Sequence, residues 1–312
     1  MTDVTVSRLG QVNLNGDDNA LFLKIFSGEV LNTFDRECVF QDKHLIREIK
    51  NGKSAQFPAT GTIKANYHTP GTMLTGTPIA HNERVIVIDD LLVADTYIAN
   101  IDEAKNHYDI RSEYTKQIGQ ALANAFDKNV ARVGILAARE SATVIGGFGG
   151  SQINGGGDVR TNGDQIGKAM FAAAQVLDEH DVPSTERFAY MRPVTYYAAA
   201  ATKDLINKDW NGAGSLAAGS IDTVAGIKIV KTNNLPNSDE SGLNEIPSKY
   251  RGDYSRTAFS VQHRSSVGTA RLLNLGMDSQ YLATHQATLL VAKYALGHGI
   301  LRPECAVEVT NY

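Results

Sequence analysis

The sequence predicts an α+β fold built around one unusually long helix, and three observations carry that prediction. Residues 102–139 contain no proline, and Ile110, Tyr114, Ile118, Leu122, Phe126, Val130 and Val133 step by three or four, the spacing of one buried helical stripe. Residues 52–82 carry Pro58, Gly61, Pro70, Gly71, Gly76 and Pro78 between short extended pieces, a span longer than a simple connection needs. After residue 163 helix and strand signals alternate, as they do in a mixed α/β lobe.

Taken in order, residues 1–18 are polar and rich in Asn, Asp and Gly, and predict a mobile arm. In residues 19–36, Leu21, Phe22, Ile25, Phe26, Val30, Leu31 and Phe34 recur at helical spacing, with Asp17 or Asp18 as a cap. Such a helix has a wide sticky face. Lys43, Arg47, Lys50 and Lys53, with Glu48 as the one acid among them, form a basic run ahead of the long loop, suited equally to a neighbour's acidic surface, to DNA or to solvent. Within residues 52–82, Phe57, Tyr67, Met73, Leu74 and Ile79 are apolar side chains with no local core to bury them. Residues 85–88 are a β-branched run ending at Asp89-Asp90, which predicts a short strand.

The long helix follows; at about 1.5 Å per residue it would run some 55 Å. Residues 146–163 are rich in Gly and Asn and predict a flexible loop between two lobes. Helices are expected at residues 164–180, stopped by Val182-Pro183, and at 193–203, with strands at 187–191 and 226–231. Residues 236–254 are polar and loop-like, and strand character returns at 258–263, 288–296 and 306–310. No internal repeat is present.

Composition narrows the function. Hydrophobic residues make up 42% and charged residues 21% of 312, values of an ordinary globular chain. A net charge of −4 argues against a general nucleic-acid binder, whose affinity comes from many Lys and Arg on phosphates. Cys38 and Cys305 are far apart and belong to no Cys-x-x-Cys pair, as expected in a reducing cytoplasm. No apolar run has the length of a signal peptide's core or a membrane span.

Motifs of catalysis fail one by one. Gly52-Lys53-Ser54 imitates the end of a phosphate-binding loop, but Arg47 stands where its first glycine belongs. Gly149-Gly150-Ser151-Gln152-Ile153 misses the nucleophile elbow because Ile153 replaces its last glycine. His263 and His298 have no metal-ligand partner at short spacing, and the glycines flanking His298 suggest an irregular turn. Asp89-Asp90 and Asp102-Glu103 are acids at a strand end and a first helical turn, where no metal is needed to account for them. Arg251-Gly252-Asp253 matches a cell-adhesion tripeptide, a match short enough to be coincidence. The sequence predicts no enzyme, no cofactor and no metal.

Several blocks carry a resemblance. They are Leu21-Phe22-Leu23-Lys24 with Gly28-Glu29-Val30-Leu31, the run from Gly52 to Pro58, the runs Val85 to Asp89 and Asn106 to Tyr114, His263 to Thr269, and Ala292 to Gly299 with Leu301-Arg302-Pro303-Glu304. In this order they resemble the major capsid protein of short-tailed phages that carry their own single-subunit RNA polymerase. Residues 1–18, 141–162 and 237–254 have no counterpart, and residues 74–82 look shorter and less charged than theirs.

The resemblance implies the Hong Kong-type tailed-phage capsid fold. Its parts would be an N-terminal arm (1–45), an extended loop with flanking strands (46–92), a peripheral domain with a spine helix (93–141), an axial α/β domain (142–285) and a C-terminal return to the peripheral domain (286–312). It implies a homo-oligomer of hexamers and pentamers in an icosahedral shell around double-stranded DNA, touched weakly and non-specifically. It also implies assembly in the bacterial host cytoplasm on a scaffolding protein, with a portal protein at one vertex and no membrane. Covalent cross-linking of neighbours is not expected in this branch. An encapsulin-type cellular compartment shares the fold and is the alternative. Subunit-interface candidates are Phe22, Phe26, Lys53, Phe57, Tyr67, Met73, Leu74 and Ile79.

Overall fold

The computed structural model describes residues 30, 33–34, 38–61, 63, 65, 67–71, 73, 76, 78–99, 110–202 and 221–312. The chain runs from β1 (Leu45–Glu48) into β2 (Ser54–Thr60), β3 (His81–Val87), β4 (Leu92–Ala99) and the helix α1 (Ile110–Arg139). It continues through β5 (Ser151–Asn154), α2 (Gly163–Glu179), β6 (Arg187–Met191), α3 (Pro193–Ala201), β7 (Thr223–Val224) and β8 (Ile227–Lys231). It closes with β9 (Thr257–His263), β10 (Val267–Leu282), β11 (Ala287–Ile300) and β12 (Ala306–Thr310). Three sheets result: four strands in the order β1-β10-β11-β4, six in the order β5-β12-β9-β6-β8-β7, and the β2-β3 hairpin.

The stripe read from sequence is where α1 meets the core. Ile118, Leu122, Phe126, Val130 and Val133 are buried and Tyr114 is half-buried against them. Toward its C-terminus burial spreads around the helix to Ala131, Ile135, Ala137 and Ala138, because here α1 is packed by both large sheets. That sandwich explains a glycine in the helix interior, where it costs roughly 1 kcal/mol relative to Ala. A Cβ at Gly134 would lie 2.0 Å from Nε2 of the buried Gln262 on β9. The helix must be bare at that point to approach the sheet. Residues 102–109 of the predicted helix lie outside the described residues.

The helix expected at residues 19–36 also lies mostly outside them, but Val30, Thr33 and Phe34 are helical, with Val30 and Phe34 buried. Phe34 meets Phe126 and Tyr294 edge-on at 5.9 and 6.1 Å. A second core lies between the six-stranded sheet and α2 and α3, where Ile166, Met170, Ala173 and Leu177 pack on Ala189, Ile227, Phe259 and Val307. The Asn162 side chain caps α2 by accepting from the Asp164 N–H.

Two readings need correction, and one strand goes unmarked by the sequence. The loop expected at residues 146–163 contains β5, which pairs in parallel with β12. Ser-Gln-Ile-Asn flanked by glycine carries no β-branched run, so its strand state comes from the partner it pairs with rather than from propensity. The glycines around His298 lie within β11, not in an irregular turn. Strand β10, sixteen residues long, shows no period of two because its register shifts at Arg271–Leu273 and at Leu273–Gly276.

The pairing also does not follow the expected division at residue 285. Strand β10 pairs with β11 in the four-stranded sheet, while β12 returns to the six-stranded sheet beside β9.

Candidate functional site

The segment predicted as an over-long loop is a β-ribbon with an open end. Strands β2 and β3 pair from Ser54↔Val87 to Thr60↔His81, and the Gly61 N–H donates to the Ala80 carbonyl at 2.8 Å to close the ladder. Pro58, opposite Glu83, is tolerated because the ribbon has free edges. The ribbon has a small core at its base: Ala55 and Ile86 are buried with Ala270 and Leu301, and Phe57 packs on them beneath the Arg47 guanidinium, 5.5 Å from the ring centroid.

Its seat is a run of glycines. A Cβ at Gly297 would sit 2.2 Å from the Val87 carbonyl oxygen, and one at Gly299 would sit 2.8 Å from Ile86 Cγ1. These glycines on β11 let the ribbon cross the strand in backbone contact.

Beyond the ladder the large apolar side chains among the described residues are bare. Tyr67 and Met73 are 108% and 88% exposed, and Ile63 and Ile79 are also exposed. Of the candidates from sequence, the structure brings Tyr67, Met73 and Ile79 to this open end. It places Phe57 in the small core at the base and Lys53 at the turn into β2, where the Lys53 carbonyl accepts from the Ile88 N–H at 3.0 Å. Phe22, Phe26 and Leu74 lie outside the described residues.

Gly52 has a φ of +125° and Ser54 opens a strand, so Gly52-Lys53-Ser54 lacks the helix N-terminus that a phosphate-binding loop needs. Among the described residues no group of three or more His, Cys, Asp or Glu side chains is placed to hold a metal ion. His263 Nδ1 lies 2.8 Å from Ser265 Oγ. His298 is buried, its Nδ1 2.8 Å from Thr269 Oγ1, which in turn lies 2.7 Å from Nε2 of the buried His44. Burial lowers both imidazoles, His44 to about 4. They are neutral struts joining the residue ahead of β1 to β10 and β11. Burial raises the Cys305 thiol, as expected of an inert structural cysteine.

Sequence reasoning missed two buried carboxylates. Asp127 on α1 accepts from the N–H groups of Val39 and Phe40 at 2.9 and 3.2 Å and from the Asn234 amide, tying the chain ahead of β1 to the helix. Burial pushes its carboxyl up. Glu308 on β12 takes Arg139 through two nitrogens at 2.7 and 2.6 Å, with Thr257 and Gln152 as further donors. No local signal marks either, since each partner is distant in sequence.

The comparisons with known proteins converge. A family model described as Gp10A-like, major capsid protein, matches residues 56–310. The chain is 38% identical to the major capsid protein of Escherichia phage T7, covering 94% of this chain and 92% of that one. It is 35% identical to the major capsid protein of Enterobacteria phage T3, covering 93% and 91%. The capsid structure of Cyanophage P-SCSP1u superposes with a TM-score of 0.81 at 40% identity, covering 99% of both chains.

Proposed function

The chain belongs to the Gp10A-like family of major capsid proteins and is a structural subunit of a phage shell with the Hong Kong-type capsid fold, and on that premise we propose how it is deployed. Its copies form hexamers and pentamers, assembled in the host cytoplasm on a scaffolding protein, with a portal protein at one vertex and double-stranded DNA inside. The DNA contact is weak, in keeping with a net charge of −4. The subunit catalyses no reaction. Relatives that are phage major capsid proteins favour this reading over a cellular compartment.

The ribbon is the extended loop, α1 with the four-stranded sheet is the peripheral part, and the six-stranded sheet with α2 and α3 is the axial part. The observation that carries the assignment is the open end of the ribbon, where Ile63, Tyr67, Met73 and Ile79 stand exposed. These side chains gain their burial from a neighbouring subunit. Phe22, Phe26, Lys53 and Leu74 complete the proposed interface, whereas Phe57 belongs to the small core at the ribbon's base.

The test is to join Gly61 to Ala80 through an Asn-Gly turn, which suits a two-residue hairpin connection and preserves the ladder beneath it. A cooperatively melting subunit of near-normal helix content by circular dichroism, which makes no closed shells with scaffold present, is the expected result. Shells of normal size from this variant, or loss of the fold, would place the open end in the subunit's own architecture instead.

A further inference from the structure

The ribbon leaves the subunit at residues 87–89, and a second segment is fastened across that point. Residues 236–254 form a strap with no regular strand, held to α1 at one end. The Arg132 guanidinium pairs with Glu240 at 2.7 Å, both side chains nearly buried, and Arg139 donates to the Asp253 carbonyl at 2.7 Å. The strap is closed on itself by the Glu240 N–H on the Gly252 carbonyl at 3.0 Å and by the Tyr254 N–H on the Ser238 carbonyl at 3.1 Å.

From this strap Lys249 reaches the ribbon. Its ammonium donates to the Val87 carbonyl at 2.7 Å and pairs with the Asp89 carboxylate at 2.7 Å. Its neighbour Tyr250 is fully buried, donates its hydroxyl to the other Asp89 oxygen and accepts from the His298 N–H at 3.0 Å. The Asp89 N–H meanwhile donates to the Leu296 carbonyl at 3.1 Å. One cation thus holds the last residue of β3 and the second residue after it, above Gly297, where the backbones touch.

We propose that Lys249 is a positioning residue for shell assembly: with Asp89 and Tyr250 it latches the strap to the exit of the ribbon and fixes the angle at which the ribbon leaves the subunit. This rests on the ribbon's being the contact arm. At the glycine-lined crossing the exit angle is set by side-chain ties, Arg84 to Glu140 at 3.2 Å and Asn82 to the Thr143 carbonyl along the ribbon and Lys249 at the exit itself, and a shell of uniform curvature needs one angle. The ion pair is suited to fixing orientation because it is two-pronged and only partly exposed, with side-chain exposures of 32% for Lys249 and 20% for Asp89.

The test compares Lys249→Met and Lys249→Arg in the full chain. Amide exchange in the subunit reads the latch, and microscopy of particles assembled with scaffold reads its consequence. For Lys249→Met the Ile88 and Asp89 amides should exchange on the order of tenfold faster, the equivalent of one lost charge-assisted hydrogen bond, while amides of α1 and β9 are unchanged. Particles should assemble but vary in diameter, and Lys249→Arg should restore both readouts. Unchanged exchange at Ile88 and Asp89 would remove the latch. Faster exchange throughout both sheets would make Lys249 a stability residue only, and faster local exchange with shells of uniform normal diameter would separate the latch from curvature. None of these outcomes depends on the Asn-Gly variant, which tests the contact arm itself.

Discussion

The C-terminus of α1 is joined to the six-stranded sheet by one buried ion pair, and its removal gives the most quantitative check on how the two sheets are held. Glu308 has a side-chain exposure of 0% and Arg139 one of 26%. Replacing Arg139 with Met takes away two of the four donors described around the carboxylate and leaves Thr257 and Gln152, both neutral. Breaking a buried pair from one side costs about 3–5 kcal/mol, because the remaining charge stays desolvated. Water can reach the site through the partly exposed guanidinium position, so the lower end, about 3 kcal/mol, is expected. At about 2–4 °C per kcal/mol for a large domain, the melting temperature should fall by about 6–12 °C. Scanning calorimetry on the subunit measures it. Adding Glu308→Gln to Arg139→Met should recover part of the loss, since an amide needs no counter-charge, and the cycle closes with the single Glu308→Gln. A drop of less than about 2 °C for Arg139→Met, or a double mutant less stable than Arg139→Met alone, would show that the pair is solvated and does not tie α1 to β12.

Two further outcomes follow from the cores. Leu122→Ala should cost about 2–5 kcal/mol in urea unfolding, since Leu122 is 1% exposed beneath Tyr294 and the cavity cannot fill from outside; a cost under about 1 kcal/mol would mean the stripe is not the seat of the core. Acid should destabilise the subunit through His44 and His298, whose folded pKa values burial depresses below the unfolded 6.5. Their contribution is fully present above pH 6.5 and is lost as pH falls through the folded values, on the order of 3 kcal/mol for His44 by pH 4. Asp127, raised by burial, acts oppositely and offsets part of the loss. Urea midpoints between pH 7.5 and pH 4.5 should therefore fall less steeply in His44→Asn than in the parent, and parallel slopes would exclude His44 as a cause.

The elements legible in the sequence are those whose period was local. Helix α1 showed its seven-residue stripe, α2 showed an apolar face ended by Val182-Pro183, and β6, α3, β8, β9 and β12 fell within a residue or two of their readings. Strand β10 was not legible, since its bulges and Gly268, Ala270, Asn274 and Gly276 erase alternation, and its stability comes from β11 beside it. Strand β5 needed β12 for the same reason. Part of the candidate site was visible: prolines and glycines in residues 52–82 marked a segment with apolar side chains and no core. The pairing of β2 with β3 was hidden by Pro58, which argues against a strand unless the edge is free. The latch was hidden by distance, since Lys249 and Asp89 are 160 residues apart and each reads alone as an ordinary loop charge.

The position of the ribbon has a mechanical consequence. It is seated on the last residues of β11, Gly297 and Gly299, and on Leu301, which packs against Ile86. Directly beyond Leu301 the chain makes one 3-10 turn at Pro303–Cys305 and enters β12, the strand that Arg139 ties to α1. A load applied to the open end therefore meets the four-stranded sheet through β11, the six-stranded sheet through β12, and α1 through the strap, all within a few residues of one crossing. The glycines that let the ribbon touch β11 leave β11 itself with no side chain at the contact, so only the small core of Ile86, Leu301 and Ala270 grips there. Resistance comes from side chains around it: Arg84 pairs with Glu140 and Asn82 donates to the Thr143 carbonyl farther along the ribbon, and at its exit Lys249 is bonded to both Val87 and Asp89. This is why weakening the latch should change the shape of assemblies before it changes the stability of the subunit, whereas weakening Arg139 and Glu308 should do the reverse.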